Sequence, residues 1–253
     1  MSVKKDPSGR RSIQAEVEVP GTPEEVWKAI ATGPGVSSWF VPTESECREG
    51  GTVTSNFGPG MDVKATITAW DPLHRFAAES SGFGPNAPPL ATEWTVEAKA
   101  GGTCVVRVVH SLFTSEDDWD NQLESIESGW PTWFRILRLY LTHFPGQPCA
   151  AFSVTGVVPG PESTAWDGLR AAFAGGGTPP SAGAVDWTSE GGHRNQIVRL
   201  DAPTTGTAAL LATGMGGSVY LMIGFYLYGD RAAEVVAHDQ PLWQAWMAEH
   251  CKA

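Results

Sequence analysis

The sequence predicts an α+β fold in which a curved antiparallel sheet wraps a long C-terminal helix, with a smaller second copy of the same arrangement. Three observations predict it. An alternating strand and a capped helix open the chain, six strand-like segments follow, and an amphipathic helix rich in aromatic residues spans 127–144. Because helices stand before and after the run of strands, they can cover one face of the sheet while the other stays solvated.

Alternation and capping residues define the first strand and helix. In residues 12–19, apolar and polar side chains alternate, which indicates a half-buried strand. Thr22 suits the N-cap of the next helix, Pro23 its first position, and two glutamates its first turn. The segment 33–40 predicts a second, short helical turn.

Six segments between 43 and 113 are typical of strands, and turn residues such as EGG, DP and KAGG separate them. Charged residues mark the outward face of each strand, so the alternate positions point inward. On this rule His74, Phe76, Trp94 and His110 face the interior. Trp70 faces outward unless a bulge shifts the register.

The long helix carries one apolar stripe, which we expect to face the sheet. Pro131 suits a first helical turn, so we predict that a helix starts there and that 114–128 forms a separate helical segment. The stripe consists of Trp130, Trp133, Phe134, Leu137, Leu141 and Phe144.

Two short motifs recur along the chain and predict a duplication. V-P-G with a tryptophan six residues beyond the glycine occurs at 19–27 and 158–166, and P-x-W occurs at 131–133 and 241–243. The two motifs lie 29 residues closer together in the second copy, which corresponds to two or three missing strands. We predict a first domain over 12–146 and a trimmed second domain over 150–250.

The trimmed domain has too few predicted strands to cover the apolar face of its own last helix. That face carries Leu242, Trp243 and Trp246. We therefore expect it to pack against the first domain or across a symmetric homodimer. The glycine-rich segment 174–184 is interpreted as a flexible connection within this copy.

Composition and charge exclude several classes of function. The net charge of −11, without a basic run, argues against nucleic acid and against an anionic membrane surface as partners. The longest apolar run, 218–228, is too short for a transmembrane helix, and no secretory signal is predicted at the N-terminus. Four widely spaced cysteines form no metal or redox motif and predict thiols in a reducing cytoplasm.

Three segments together resemble a known family. They are VPGTPEEVWKAIA (19–31), WTVEAKAGGTCVVRVVHSLF (94–113) and SGWPTWFRILRLYL (128–141). Their order is similar to the activator-of-heat-shock-protein-90-ATPase branch of the START-like (SRPBCC) superfamily, over about 12–146. The resemblance implies a helix-grip fold with a cavity between sheet and helix that commonly holds apolar or aromatic molecules. The resemblance says less about the biochemical function, since one fold serves many functions.

We therefore predict that the first domain binds a small apolar or aromatic molecule in this cavity. Trp39 and Phe40 would guard its mouth, and His110 would orient the ligand by a hydrogen bond. No cofactor and no metal site is predicted. The predicted ligand-binding residues are Trp39, Phe40, Phe57, Met61, Phe76, Trp94, His110, Trp130, Trp133, Phe134 and Leu137.

Other interpretations stay open at this point. The aromatic residues could simply fill the core, and His110 could be a hydrogen-bonded core residue. An interaction protein that regulates a partner is a second class of function. A cyclase- or hydrolase-type enzyme that uses the same cavity is a third, but no inward carboxylate accompanies the histidines, so we assign no catalytic residue.

Overall fold

The structure is a computed structural model that describes residues 3–57, 62–82, 87–114, 119–174, 194–215 and 217–251. The chain divides into two units, Met1–Gly146 and Gln147–Ala253. Each unit has its own antiparallel sheet. Among the described helices, none combines the length and the apolar character needed to cross a membrane.

The first unit is an eight-stranded sheet with a helix pair after its second strand and a long helix at its end. The order of strands across the described part of this sheet is β1-β2-β8-β7-β6-β5-β4-β3. The elements are β1 (Lys4–Lys5), β2 (Arg10–Pro20), α1 (Pro23–Ala31), α2 (Gly33–Ser37), β3 (Thr43–Ser45), β4 (Thr52–Asn56), β5 (Asp62–Asp71), β6 (Arg75–Ser80), β7 (Leu90–Lys99), β8 (Thr103–Phe113) and α3 (Asp120–His143).

Helix α1 begins where the capping residues predict. The Thr22 hydroxyl accepts a hydrogen bond from the Glu25 amide, and the Glu25 carboxylate accepts one from the Thr22 amide. This reciprocal arrangement satisfies two amide groups that the first helical turn leaves without partners. Pro23 occupies the first turn, where its missing N–H costs nothing.

Helix α2 lies so close to the end of α1 that one position within α2 admits only glycine. A Cβ atom at Gly35 would lie 1.9 Å from the Lys28 carbonyl oxygen. The Thr32 hydroxyl links the two helices, because it donates to that carbonyl oxygen at 2.7 Å and accepts from the Gly35 amide at 3.1 Å. This junction leads the chain to Trp39, whose indole N–H donates to the Ala29 carbonyl at 3.0 Å.

Helix α3 differs from the sequence-based prediction, because no new helix starts at Pro131. The helix runs without interruption from Asp120 to His143. Proline removes one backbone hydrogen bond inside a helix, but residues on both sides of Pro131 are buried, Leu123 before it and Phe134 after it. Burial of both segments on the same unit holds them in one helix.

An ion-pair cluster ties the start of α3 to the first two strands. The Asp120 carboxylate lies 2.6 Å from both the Lys5 ammonium and the buried Arg11 guanidinium. The hydrogen bond from Lys5, followed by that from Arg11, holds the pKa of Asp120 below its usual value. A carboxylate in the first turn also interacts favourably with the helix dipole.

Strand β5 contains the bulge that decides where Trp70 points. Its register with β6 shifts between Ile67 and Ala69. Trp70 is therefore half-buried against Trp27 and Phe76, with ring centroids 5.2 and 5.6 Å away. His74 was predicted to face inward, and this is wrong. It lies before β6, and its side chain is 73% exposed.

The second unit repeats the connectivity of the first, with a four-stranded sheet in its described residues. In the described residues its sheet order is β10-β11-β12-β9, which corresponds to β6-β7-β8-β2 of the first unit. Among the described residues of this unit, no strand corresponds to β3, β4 or β5 of the first unit. The elements are β9 (Cys149–Pro159), α4 (Glu162–Ala174), β10 (Arg194–Leu200), β11 (Gly206–Met215), β12 (Ser218–Tyr228) and α5 (Ala232–His250).

The aromatic face of α5 is covered within its own unit, contrary to the prediction. Trp243 is fully buried, with ring centroids 5.6 Å from Phe173 and 4.8 Å from Phe225. Trp246 is 6% exposed, and Leu242 alone of the predicted patch stays exposed. A partner surface is thus not needed to bury these tryptophans. The segment 174–184 lies almost wholly outside the described residues.

The fold class predicted from the sequence is confirmed, an α+β helix-grip fold duplicated with a smaller second copy. The boundaries 12–146 and 150–250 remain a prediction. We expect residues 1–146, expressed alone, to unfold in one cooperative transition, because this unit carries a complete sheet and its own long helix. Denaturant titration followed by circular dichroism and by tryptophan fluorescence would measure this. Noncoincident transitions from the two probes would contradict it.

Candidate functional site

A cavity of about 410 Å³ lies inside the first unit, between the inner face of its sheet and α3. Strands β3 to β8, the helix pair and the first half of α3 each contribute to its wall. The residues that line it are Ile30, Ala31, Val36, Trp39, Phe40, Thr43, Ser45, Val53, Ser55, Phe57, Val63, Ala65, Phe76, Ala78, Ser80, Leu90, Thr92, Trp94, His110, Ser125, Ile126, Gly129, Trp130 and Trp133.

The aromatic rings in this wall pack on one another. The Trp130 ring stacks on Phe40 at 5.6 Å between centroids and meets Trp94 edge-on at 5.2 Å. Trp133 meets Phe40 edge-on at 4.9 Å, and Trp94 contacts Trp39 in the same way. Edge-on and offset pairs are favourable geometries for aromatic rings, so the wall is a connected set of rings.

Partly exposed aromatic residues mark the open side of the cavity. Phe57 is 41% exposed and contacts Phe40 edge-on, and Phe40 and Trp133 are themselves half-buried. Trp39 was predicted at the mouth together with Phe40, but it is only 1% exposed. Its hydrogen bond to Ala29 holds it deep in the wall.

The cavity wall carries no formal charge. Among the described residues that line it there is no aspartate, glutamate, lysine or arginine. The polar side chains are hydroxyl groups and one imidazole, and several of these are paired with neighbours. The Thr43 hydroxyl, for example, donates to the Val41 carbonyl and lies 3.1 Å from that of Ser55.

His110 is held by hydrogen bonds at both ring nitrogens. The Trp130 indole N–H donates to His110 Nε2 at 3.1 Å, and His110 Nδ1 lies 2.9 Å from the Thr92 hydroxyl oxygen. The imidazole also stacks on the Trp130 ring, with centroids 5.5 Å apart. The two residues are therefore fixed relative to each other across the gap between β8 and α3.

Burial keeps this histidine uncharged. The loss of solvation lowers the pKa of His110 from 6.5 to about 4, because the charged imidazolium is disfavoured where water is excluded. An indole nitrogen can only donate a hydrogen bond, so Nε2 is the accepting nitrogen. The proton of the neutral ring consequently resides on Nδ1 and points at Thr92.

The structure brings eight of the eleven predicted ligand-binding residues to the cavity wall. Phe134 and Leu137 are 3% and 0% exposed and lie in the core, where α3 packs on the sheet beyond the cavity. Met61 lies outside the described residues. The other eight are Trp39, Phe40, Phe57, Phe76, Trp94, His110, Trp130 and Trp133.

Thr92 is the main site residue that the sequence analysis missed. It lies two positions before Trp94 on β7 and directly opposite His110 on β8. The period of two along a strand places residues 92 and 94 on the same face, so the alternation that predicts an inward Trp94 also predicts an inward Thr92. Its small polar side chain carries no sequence signal beyond this alternation.

Solved structures with a similar arrangement were found. DynU16, from the dynemicin biosynthetic locus, has 18% identity and a TM-score of 0.46, covering 94% of this chain and 96% of its own. The di-domain ARO/CYC BexL from the BE-7585A biosynthetic pathway has 14% identity and a TM-score of 0.47, covering 96% and 99%. The Aha1 dimer from Colwellia psychrerythraea has 18% identity and a TM-score of 0.43, covering 51% and 95%.

The sequence of the first unit matches a family model. The match spans residues 20–142 and is described as "Activator of Hsp90 ATPase homolog 1-like protein". It extends from the end of β2 to the end of α3 and so includes every element of the cavity wall. No curated protein matches the chain. Over these residues, which are just under half of the chain, the first unit is similar to the activator of Hsp90 ATPase homolog 1-like family.

Proposed function

We propose that the first unit binds a small, uncharged, largely aromatic molecule in the cavity between its sheet and α3. The observation that carries this proposal is a cavity of about 410 Å³ with aromatic walls and no charged side chain among its described lining residues. Sites for small molecules in proteins typically have volumes of this order and combine apolar walls with a few polar groups.

The wall supports an aromatic ligand in particular. Trp94, Trp130 and Phe40 offer ring faces and edges at the spacing of stacked and edge-on pairs, and a ligand ring extends the same packing. Burial of apolar surface supplies most of the affinity, at roughly 25 cal/mol for each Å² removed from water. Stacking geometry adds about 0.5–1.5 kcal/mol per ring pair.

The uncharged wall disfavours an ionised ligand. A carboxylate or ammonium group moved from water into this cavity would lose its hydration and find no opposite charge among the described lining residues. Such a transfer costs many kcal/mol unless the charge is paired. The cavity therefore selects for neutral molecules.

The histidine geometry favours binding over acid–base catalysis. Both ring nitrogens of His110 are engaged by Trp130 and Thr92, and its pKa of about 4 makes it a weak base. An effective general base has a pKa near the working pH and an accessible nitrogen. No observation favours the enzyme or the partner-regulating alternative over ligand binding.

Filling the cavity tests the proposal. Ala78 lies on the wall in β6, and Ala78→Leu would place three more carbon atoms inside. We expect about a tenfold or greater loss of affinity for neutral aromatic compounds, with an unchanged or raised melting temperature because the new side chain occupies a void. Quenching of intrinsic tryptophan fluorescence by a panel of such compounds measures binding, since four tryptophans line the cavity.

Ala77→Leu is the matched control. Ala77 is the next residue on the same strand and points to the opposite face. The same substitution there should leave affinity unchanged. Equal effects of the two variants would place the binding site elsewhere, and the absence of binding by any compound of the panel would refute the proposal.

We infer a cytoplasmic location for the chain. Cys47, Cys104 and Cys251 are free thiols, which supports a reducing compartment. The exposed Leu242 is too small an apolar surface to argue for an interface. Sedimentation velocity would measure the oligomeric state.

A further inference from the structure

We propose that the cavity recognises a carbonyl oxygen on its aromatic ligand, and that the Thr92 hydroxyl is the group that donates the hydrogen bond to it. This inference rests on the proposed function and specifies the substrate class of the same site. The ligand is then an uncharged aromatic ketone or quinone, as opposed to a hydrocarbon or an aromatic acid.

The directions of the hydrogen bonds follow from the chemistry of the three side chains. The Trp130 indole is a donor only, so His110 Nε2, at 3.1 Å, must accept. A neutral imidazole that accepts at one nitrogen carries its proton on the other. His110 Nδ1 therefore donates to the Thr92 hydroxyl oxygen at 2.9 Å.

The Thr92 hydroxyl is left with its own hydrogen to donate. One of its lone pairs accepts the hydrogen bond from His110 Nδ1. No acceptor for the hydroxyl hydrogen of Thr92 is present among the described residues. Thr92 lies on the cavity wall, so this hydrogen is available to a molecule inside. Trp130 donates to His110, and His110 donates to Thr92. These two hydrogen bonds point the same way along the chain of donors, so they polarise the Thr92 hydroxyl and strengthen it as a donor.

The surroundings select the kind of acceptor. Trp94 lies two residues from Thr92 on the same face of β7, and Trp130 stacks on His110. An acceptor that reaches Thr92 must therefore belong to a group that packs against rings. A carboxylate could also accept a hydrogen bond from this hydroxyl. However, no cation among the described wall residues would balance its charge, so its desolvation would cost a large free energy. A neutral carbonyl attached to a ring satisfies both conditions.

Three probes that share a naphthalene ring test this inference: naphthalene, 2-acetylnaphthalene and 2-naphthoate. We expect the ketone to bind about five- to tenfold more tightly than naphthalene, as one net hydrogen bond provides. We expect 2-naphthoate to bind more weakly than naphthalene at neutral pH. Fluorescence quenching and isothermal titration calorimetry would measure the three affinities.

Thr92→Val removes the hydroxyl and keeps the shape. We expect it to abolish the preference for the ketone while the affinity for naphthalene changes less than about twofold, and Thr92→Ser should retain the preference. Thr95→Val, on the outward face of the same strand, is the matched control and should behave as wild type. Melting curves establish whether each variant is folded. If Thr92→Val does not fold, the comparison of Thr92→Ser with wild type still tests the role of the hydroxyl.

The failure of this inference differs from the failure of the proposed function. If naphthalene and the ketone bind equally, or if Thr92→Val keeps the preference, the carbonyl recognition is wrong and the aromatic cavity stands. If none of the probes binds, both are wrong. A nitrogen-15 NMR spectrum of His110 gives an independent readout, since a ring protonated at Nε2 would contradict the assigned direction of the hydrogen bonds.

Discussion

Gly35→Ala is expected to destabilise the first unit by about 3 kcal/mol or more, at the upper end of what overpacking costs. The added Cβ would lie 1.9 Å from the Lys28 carbonyl oxygen and 2.9 Å from the Ala29 Cα. Both obstacles are backbone atoms of α1, so neither can rotate away as a side chain would. The helix pair must separate, and Trp39, which donates to Ala29, must move with it.

A melting temperature lower by about 10 °C is the expected measurement for a unit of this size. Gly129→Ala is the matched control, since Gly129 is also helical and a Cβ there would meet only the Trp133 ring, at 3.8 Å. Its melting temperature should stay the same or rise, because alanine favours the helix by about 1 kcal/mol over glycine. A Gly35→Ala variant as stable as wild type would show that the two helices are not packed as described.

The second large effect concerns acid stability. The folded-state pKa of His110, about 4, lies below the ordinary value of 6.5. Between these values the unfolded chain binds a proton that the folded chain does not, so stability rises with pH across this window. This contribution is fully present above pH 6.5 and is lost as the pH falls towards 4. It amounts to about 3 kcal/mol in all, at 1.36 kcal/mol for each pH unit.

Comparison of wild type with His110→Gln isolates this contribution, because the carboxylates titrate in both proteins. We expect the wild-type free energy of unfolding to fall by about 3 kcal/mol more than that of the variant between pH 7 and pH 4. Urea titrations at a series of pH values measure both curves, and His74→Gln, at an exposed histidine, is the control for the substitution itself. Parallel curves for wild type and His110→Gln would mean that His110 is not buried in its neutral form.

Local sequence patterns determined most of the fold and the composition of the cavity wall. Alternation in β7 and β8 placed Trp94 and His110 on the inner face, and the capping residues located the start of α1. These features depend on neighbours within a few residues, where the period of a strand and the needs of a helix end leave few alternatives.

Tertiary packing decided the orientation of Trp70, the continuity of α3 and the hydrogen bonds of the site, because each of these features depends on residues far apart in the chain. The β5 bulge turned Trp70 towards Trp27, and burial on both sides carried α3 through Pro131. Which aromatic residues of α3 line the cavity and which lie in the core depends on where the helix packs against the sheet. The direction of the hydrogen bonds from Trp130 to Thr92 was likewise decided only when α3, β8 and β7 met, since donors and acceptors choose partners by distance in space.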